Sequence, residues 1–462
     1  MTTLPLQPLS PLDGRYRAAV AELGDFLSEA GLNRARVQVE IEWLIYLTSH
    51  RVFGAEPLTD TQVSSLRELE SSFGQREIDR LGELEATTKH DVKAVEYLIR
   101  EKLHSLGLDR IAELTHFAAT SEDINNLAYA LTVSAAVHQV WLPKLRTVTL
   151  KLRSLAVEYR DDPMLARTHG QPATPTTMGK ELAVFVHRLD RVAKQVRESE
   201  FLGKFSGATG TFAAHYAASA DVDWMKVSRD FVTNLGLTWN PLTTQIESHD
   251  WQAELYSRIS HINRILHNLA TDIWTYISLG YFRQIPEAGA TGSSTMPHKI
   301  NPIRFENAEA NLELSCAVLD SLSATLVTSR LQRDLTDSTT QRNIGVGFGH
   351  SVLAMDNIVR GLAQIDLDRT RLDADLDDNW EVLAEAIQTV IRAEVAAGRS
   401  SIEDPYALLK GLTRGKRVGA AELAAFVNEL EISDEAKRRL IALTPRTYTG
   451  VASELVDLLG EH

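Results

Sequence analysis

The stretch from Gly289 to Asn311, GATGSSTMPHKINPIRFENAEAN, carries the residue types with which a chain acts on a small polar molecule. Thr291, Ser293, Ser294 and Thr295 offer hydroxyls, His298 and Lys299 offer cations, and Asn301 offers an amide between two prolines. Small polar loops are often flexible spacers. This one lies between two long apolar-periodic stretches, and polar loops held on rigid helices are where binding and catalytic groups collect. A serine hydroxyl is a poor base unless its surroundings activate it. The chain has no GxSxG elbow of the hydrolase kind. By composition alone, Ser293 is one polar loop residue among four.

Four other stretches hold reactive types. His169 stands in Arg167-Thr168-His169-Gly170-Gln171-Pro172, a turn-like run; histidine titrates near neutrality and can donate a proton. Lys89-His90-Asp91 contains a His-Asp pair of the sort used by metal-dependent phosphohydrolases, with His116 available as a further ligand. No HExxH or Cys/His cluster supports a metal, however. Thr120-Ser121 sits at a helix start, where free N–H groups suit a carboxylate or a plain N-cap. Arg333, Ser338, Thr339, Thr340, Gln341 and Arg342 form a hydroxyl-rich basic cluster. It suits a phosphate through charge-assisted bonds, and equally a solvated cap.

The elements that must position these groups read as helices. Periodicity starts near Leu27 and runs through Val37, Ile41, Leu44 and Leu47. Thr59 or Asp60 caps a second helix, and residues 91–105 form a third. From about residue 112 the helices lengthen. Pro143 is expected to kink or break one of them, and Thr174-Pro175 to open the next. Between Ser248 and Phe282, Leu255, Ile259, Ile262, Leu266, Leu269, Ile273 and Tyr276 form an a/d seam. Its apolar surface is more than one chain is expected to cover. Two more long helices are expected over 302–326 and 338–363, with Gly345, Gly347 and Gly349 in the second marking close backbone approach to a neighbouring helix or to a ligand. No stretch alternates convincingly as a strand; Thr209–Tyr216 comes nearest. The expectation is an all-α chain of three domains: 1–111, a central bundle of long helices over 112–364 with a catalytic loop at 284–301, and 365–462.

Composition narrows the function. The 462 residues carry a formal net charge of −14, which disfavours nucleic acid and anionic membrane as partners. No apolar run approaches a bilayer span, and the N-terminus lacks the pattern of a secretory signal. The one cysteine, Cys316, suits a reducing cytoplasm.

GSSTMPHKINP resembles the signature loop of the fumarase/aspartase superfamily, whose members release fumarate by β-elimination. Within it, MPHK points to the adenylosuccinate lyases. SPLDGRY, TKHDVKAVEY, HFAATSEDINN, ARTHGQPATPTTMGKE, TTQIESHD, RLQRDLTDSTTQRN and NWEVLAE are similar to segments of the longer bacterial members of that family. The resemblance implies a fumarase/aspartase-like fold, a homotetramer with composite active sites, and no metal or organic cofactor. It implies that Ser293 is the general base and His169 the general acid. Substrate contacts fall on Arg15, Tyr16, Lys89, His90, Asp91, Thr120, Ser121, Gln245, Ser294, Lys299, Asn301, Asn307, Arg333, Ser338, Thr339, Thr340, Gln341 and Arg342. The implied reactions are cleavage of adenylosuccinate to AMP and fumarate, and of succinyl-aminoimidazole carboxamide ribotide (SAICAR) to its carboxamide (AICAR) and fumarate. A sibling lyase acting on argininosuccinate or aspartate is the runner-up. A metal-dependent phosphohydrolase and a non-catalytic helical scaffold stand as readings from other classes.

Overall fold

The computed structural model describes residues 8–286, 296, 299–413 and 418–460. Helices dominate, as the periodicity requires. The chain divides into two compact units. The first comprises Met1–Arg146, Val192–His267 and Ala308–Asp356; the second comprises Thr147–Arg191, Asn268–Asn307 and Asn357–His462. Among the described residues no helix is long and apolar enough to cross a membrane.

In the first unit, helix α1 (Glu29–Ser49) starts where the Ser28 hydroxyl accepts the Gly31 N–H, and helix α2 spans Asp91–Ser105. Thr59 caps the Asp60–Ser71 helix. Val37, Ile41, Leu44, Leu66, Val95, Ile99 and Leu103 share one buried cluster, which fixes the start of α2. Helix α3 (Ser121–Ala135) packs along α1. The expected break at Pro143 takes a milder form. Ala136–Trp141 wind as a π turn, after which helix α4 continues from Leu142 to Glu158. Widening one turn absorbs the missing proline N–H and the crowded carbonyl without ending the helix.

The long seam helix, α5 (Asp250–Ser278), is shorter at both ends than the sequence suggests. Leu255, Ile259, Ile262, Leu266, Leu269 and Ile273 are fully buried within the chain, so most of this seam is covered without a partner. Helix α6 spans Ile303–Leu326. The helix expected over 338–363 divides into α7 (Thr336–Gln341) and α8 (Ile344–Leu362). A buried polar chain joins three of these helices to the π turn. Trp141 Nε1 donates to Ser351 Oγ (2.9 Å), which donates to Asn263 Oδ1 (2.7 Å). Asn263 Nδ2 donates to Ser315 Oγ (2.9 Å), which donates to the Gly347 carbonyl (2.6 Å). Each member has its partner, as a buried polar network requires. At Gly347 a Cβ would lie 2.9 Å from Leu319 Cδ2, and at Gly345 2.9 Å from the Leu27 carbonyl. The glycines therefore serve helix packing.

The second unit contains a hairpin that the sequence reading missed. Strand β1 (Pro163–Thr168) pairs antiparallel with β2 (Gln171–Thr177), and the next helix opens at Met178 instead of Thr174-Pro175. Prolines 172 and 175 mimic a helix start, yet a two-stranded sheet has only edges, where proline is tolerated. Phe282–Gln284 pairs antiparallel with Ile365–Leu367. The stretch that read as nearest to a strand is instead helical over Ala213–Ala218, in the first unit. The C-terminal helices enclose their own core of Leu383, Ile387, Ile391, Leu409, Leu423, Val427 and Leu440.

Candidate active site

Two helix starts and one basic segment converge in the first unit. His90 is the N-cap of α2, and its Nδ1 accepts the Lys93 N–H at 3.3 Å. That bond leaves the proton of the neutral ring on Nε2, which lies 3.5 Å from Ser121 Oγ. His90 is therefore set to donate. Lys89, just before it, holds a left-handed backbone at φ 58°. Thr120, not Ser121, is the N-cap of α3, and its N–H is taken by Asp123 Oδ2 at 2.8 Å. The Asp123 N–H turns back to the Thr120 carbonyl at 2.8 Å, while the N–H groups of Ser121 and Glu122 lack an intrahelical acceptor by position. Asp123 is itself fixed by the fully buried Lys204, whose Nζ lies 2.8 Å from Oδ1.

Behind these groups runs a continuous chain of ion pairs bridged by one amide. Asp91 Oδ2 receives Arg342 Nη2 (3.3 Å) and Arg36 Nη2 (2.9 Å). Arg36 Nε donates to Asn125 Oδ1 (2.9 Å), and Asn125 Nδ2 to Glu122 Oε1 (2.8 Å). Arg333 Nη2 closes on the same Glu122 oxygen at 2.9 Å. Arg333 also donates to Gln245 Oε1 (3.3 Å) and Ser338 Oγ (3.2 Å), while its Nε is buried without a partner. Burial acts to raise the Asp91 carboxyl, but Arg36, the Val92 N–H and Arg342 outweigh it and hold it below its ordinary value. At Glu122 burial wins over Arg333 and the carboxyl is held high.

The structure thus gathers His90, Asp91, Thr120, Ser121, Gln245, Arg333, Ser338 and Arg342. Thr340 Oγ1 donates to the Thr336 carbonyl and Gln341 Nε2 to Gln252, so both polar groups face protein. The Thr339 carbonyl accepts the Asn343 amide at 3.5 Å. Arg15 is exposed on the turn after Gly14, its guanidinium 5.9 Å from the Tyr16 ring. Arg36, Glu122 and Asn125 escaped the sequence reading. The available signals were a cation in the apolar run of α1 and an acid beside Ser121.

In the second unit, His169 and Gly170 form the two-residue turn of the β1–β2 hairpin, with Thr168 opposite Gln171. Both have positive φ, 53° and 74°, as a type I′ turn demands. The imidazole is exposed at the tip. Lys299 is exposed and its N–H donates to the Met296 carbonyl at 3.1 Å. Asn301 and Asn307 flank the start of α6. Ser293 and Ser294 lie outside the described residues. Among the described residues, no group of three or more His, Cys, Asp or Glu is arranged to hold a metal ion.

Two histidines near the first-unit site, His116 half-buried and His215 buried, make opposite contributions to stability. His116 Nδ1 pairs with the fully buried Glu40 at 2.5 Å, and its Nε2 lies 3.9 Å from Glu96. Burial opposes the charge, but Glu40 and then Glu96 hold this imidazole above its usual value. Its contribution is complete below about pH 6.5 and declines as pH rises through the folded value. His215 is 1% exposed, and neither ring nitrogen has a partner. Burial pushes it down to about 4. Between pH 6.5 and 4 the unfolded chain takes up a proton that folded His215 refuses, costing roughly 3 kcal/mol at the acid end. Urea midpoints are expected to fall from pH 7 to pH 5, and His215→Leu to flatten that fall. Parallel curves for the two proteins would remove His215 as the cause.

A family model described as Lyase matches residues 14–318, and one described as Adenylosuccinate lyase C-terminal matches residues 329–449. The chain is 48% identical to the adenylosuccinate lyase of Escherichia coli strain K12 over 456 residues, covering 98% of this chain and 99% of that one. It is 47% identical to the adenylosuccinate lyase of Haemophilus influenzae, with the same coverage. Among solved structures, a fumarate lyase from Mesorhizobium sp. BNC1 shares the fold at TM-score 0.75 and 20% identity, covering 95% of this chain and 97% of that one. The 3-carboxy-cis,cis-muconate lactonizing enzyme from Pseudomonas putida does so at TM-score 0.73 and 20% identity, covering 96% and 97%.

Proposed function

This chain belongs to the adenylosuccinate lyases of the fumarase/aspartase superfamily, and from that membership we propose that it cleaves a carbon–nitrogen bond by β-elimination. The substrates are adenylosuccinate, giving AMP and fumarate, and SAICAR, giving AICAR and fumarate. The enzyme is cytoplasmic and works as a homotetramer without metal or organic cofactor.

The observation that carries this reading is local. In a chain of net charge −14, His90, Arg333 and Arg342 meet two helix N-termini. Such an array suits a ligand bearing carboxylates and a phosphate. In the proposed step Ser293, as the alkoxide, takes a proton from the succinyl Cβ, the carbon next to the one that bears the nitrogen. The electron pair moves into the carboxylate on Cβ as an aci-form. It returns to make the double bond of fumarate while the C–N bond breaks, and the departing nitrogen takes its proton from His169. The donors at α3 stabilise the charge as it develops. Incubation with adenylosuccinate, following fumarate and AMP together, tests the reading. No fumarate from either substrate would leave a scaffold.

Arg15→Ala is expected to weaken substrate binding by roughly 1.5–3 kcal/mol, the worth of a charge-assisted bond to phosphate. Arg333→Ala should weaken binding and also destabilise the fold, because Glu122 is left buried without its cation. Titration with phosphorylated and dephosphorylated ligands separates the two effects. Equal wild-type affinity for both ligands would overturn the phosphate assignment.

A further inference from the structure

The tip that presents His169 is gripped from one helix at two points. Helix Arg369–Asp377 packs on β1. At its start, Arg369 makes a paired contact with Asp162, the residue before β1, with Nε at 2.7 Å and Nη2 at 2.9 Å. Near its end, Asp375 Oδ2 accepts Arg167 Nη2 at 2.5 Å, two residues before His169. The same oxygen accepts the hydroxyl of Tyr281, which is 1% exposed. Asp375 is 8% exposed, and its backbone carbonyl accepts Asn379 Nδ2 at 2.7 Å. Tyr281 is in turn tied to the helix start, where its carbonyl accepts the Asp368 N–H at 2.8 Å.

This is more anchoring than an exposed two-residue turn needs. A glycine or asparagine pair would hold a type I′ turn unaided. A histidine at φ 53° costs backbone energy, and such residues persist where surrounding structure over-determines them. We propose that Asp375 is a positioning residue for the reaction. Through Arg167, and braced by Tyr281, it fixes the hairpin tip so that the His169 imidazole meets the leaving nitrogen in one orientation. The proposal rests on the reading of His169 as general acid.

The test is a double-mutant cycle on the full-length protein with adenylosuccinate. Asp375→Asn keeps the volume and removes the charge that holds Arg167. It is expected to lower kcat about 10- to 100-fold, the scale of a misplaced catalytic group, and to leave KM within about threefold. Asp375→Glu should recover part of the rate. In a His169→Ala background, Asp375→Asn should cost less than about twofold more, because its effect passes through the missing imidazole. Unchanged kcat in Asp375→Asn, or a loss that multiplies in full with that of His169→Ala, would overturn the proposal. If Asp375→Asn does not fold, Tyr281→Phe decides by the same criteria, with a smaller loss of kcat that again vanishes without His169. A His169→Ala variant at wild-type rate would instead remove the acid assignment, and is seen before the cycle is read.

Discussion

Ser293→Ala is expected to lower kcat about 10²- to 10⁴-fold, the usual worth of a positioned general base, while adenylosuccinate still binds. In the proposed mechanism the elimination cannot begin until the Cβ proton is removed. In the proposed site, binding is assigned to other groups: the α3 start, His90, Arg333 and Arg15. The rate is read from fumarate formation at saturating substrate, and the affinity of the variant by calorimetry. A variant that kept about a tenth of the wild-type rate would sink the assignment, and His90 would be the first alternative base. Its geometry opposes that role. With Nδ1 accepting the Lys93 N–H, the proton of the neutral ring sits on Nε2, facing Ser121. His90 would have to break that bond and change tautomer to accept a proton on the ligand side. Loss of affinity together with rate would mean that Ser293 binds substrate more than it reacts.

How far the sequence could be read follows from the range of each interaction. Asp91–Ser105 and Ile303–Leu326 match the expected helices almost to the residue, because apolar period and capping act within a few positions. The close approach at Gly345 and Gly347 was legible, since glycine inside a helix needs a reason. The β1–β2 hairpin was not. Its prolines carry the local signal of a helix start, and only pairing across the turn makes them strand residues. The site shows the same division. The cations and hydroxyls could be named from residue type and resemblance. What neutralises them could not, because Arg36 meets Asp91, and Arg333 meets Glu122, only through tertiary packing. The apolar seam of α5 misled in the opposite direction. Its period was real, but the chain itself covers most of it.

Mixing two dead variants is expected to restore activity. The apolar surface left on the folded chain includes Ile303 at 59% exposure and Leu314 at 52%, both on α6, with Leu331 at 89% and Leu335 at 68% on either side of Arg333. Exposed leucines beside Arg333, the proposed phosphate-side cation, suit a surface that another subunit completes. In the proposed tetramer, His169, Ser293 and the Thr120-Ser121 start come from three different chains at each site. His169→Ala and Ser293→Ala are each expected to keep only a small residual rate alone. Unfolded and refolded together in equal amounts, they are expected to form mixed oligomers. A site then needs its His169 from a Ser293→Ala chain and its Ser293 from a His169→Ala chain. With random mixing in a closed symmetric oligomer this holds at about a quarter of sites, so activity should rise from near zero toward that fraction of wild type. The gain cannot come from either variant alone, which gives the measurement a clean background. If native mass spectrometry shows mixed tetramers and the mixture stays inactive, His169 and Ser293 serve the same site from one chain. The composite arrangement would then be wrong, although both catalytic assignments could stand.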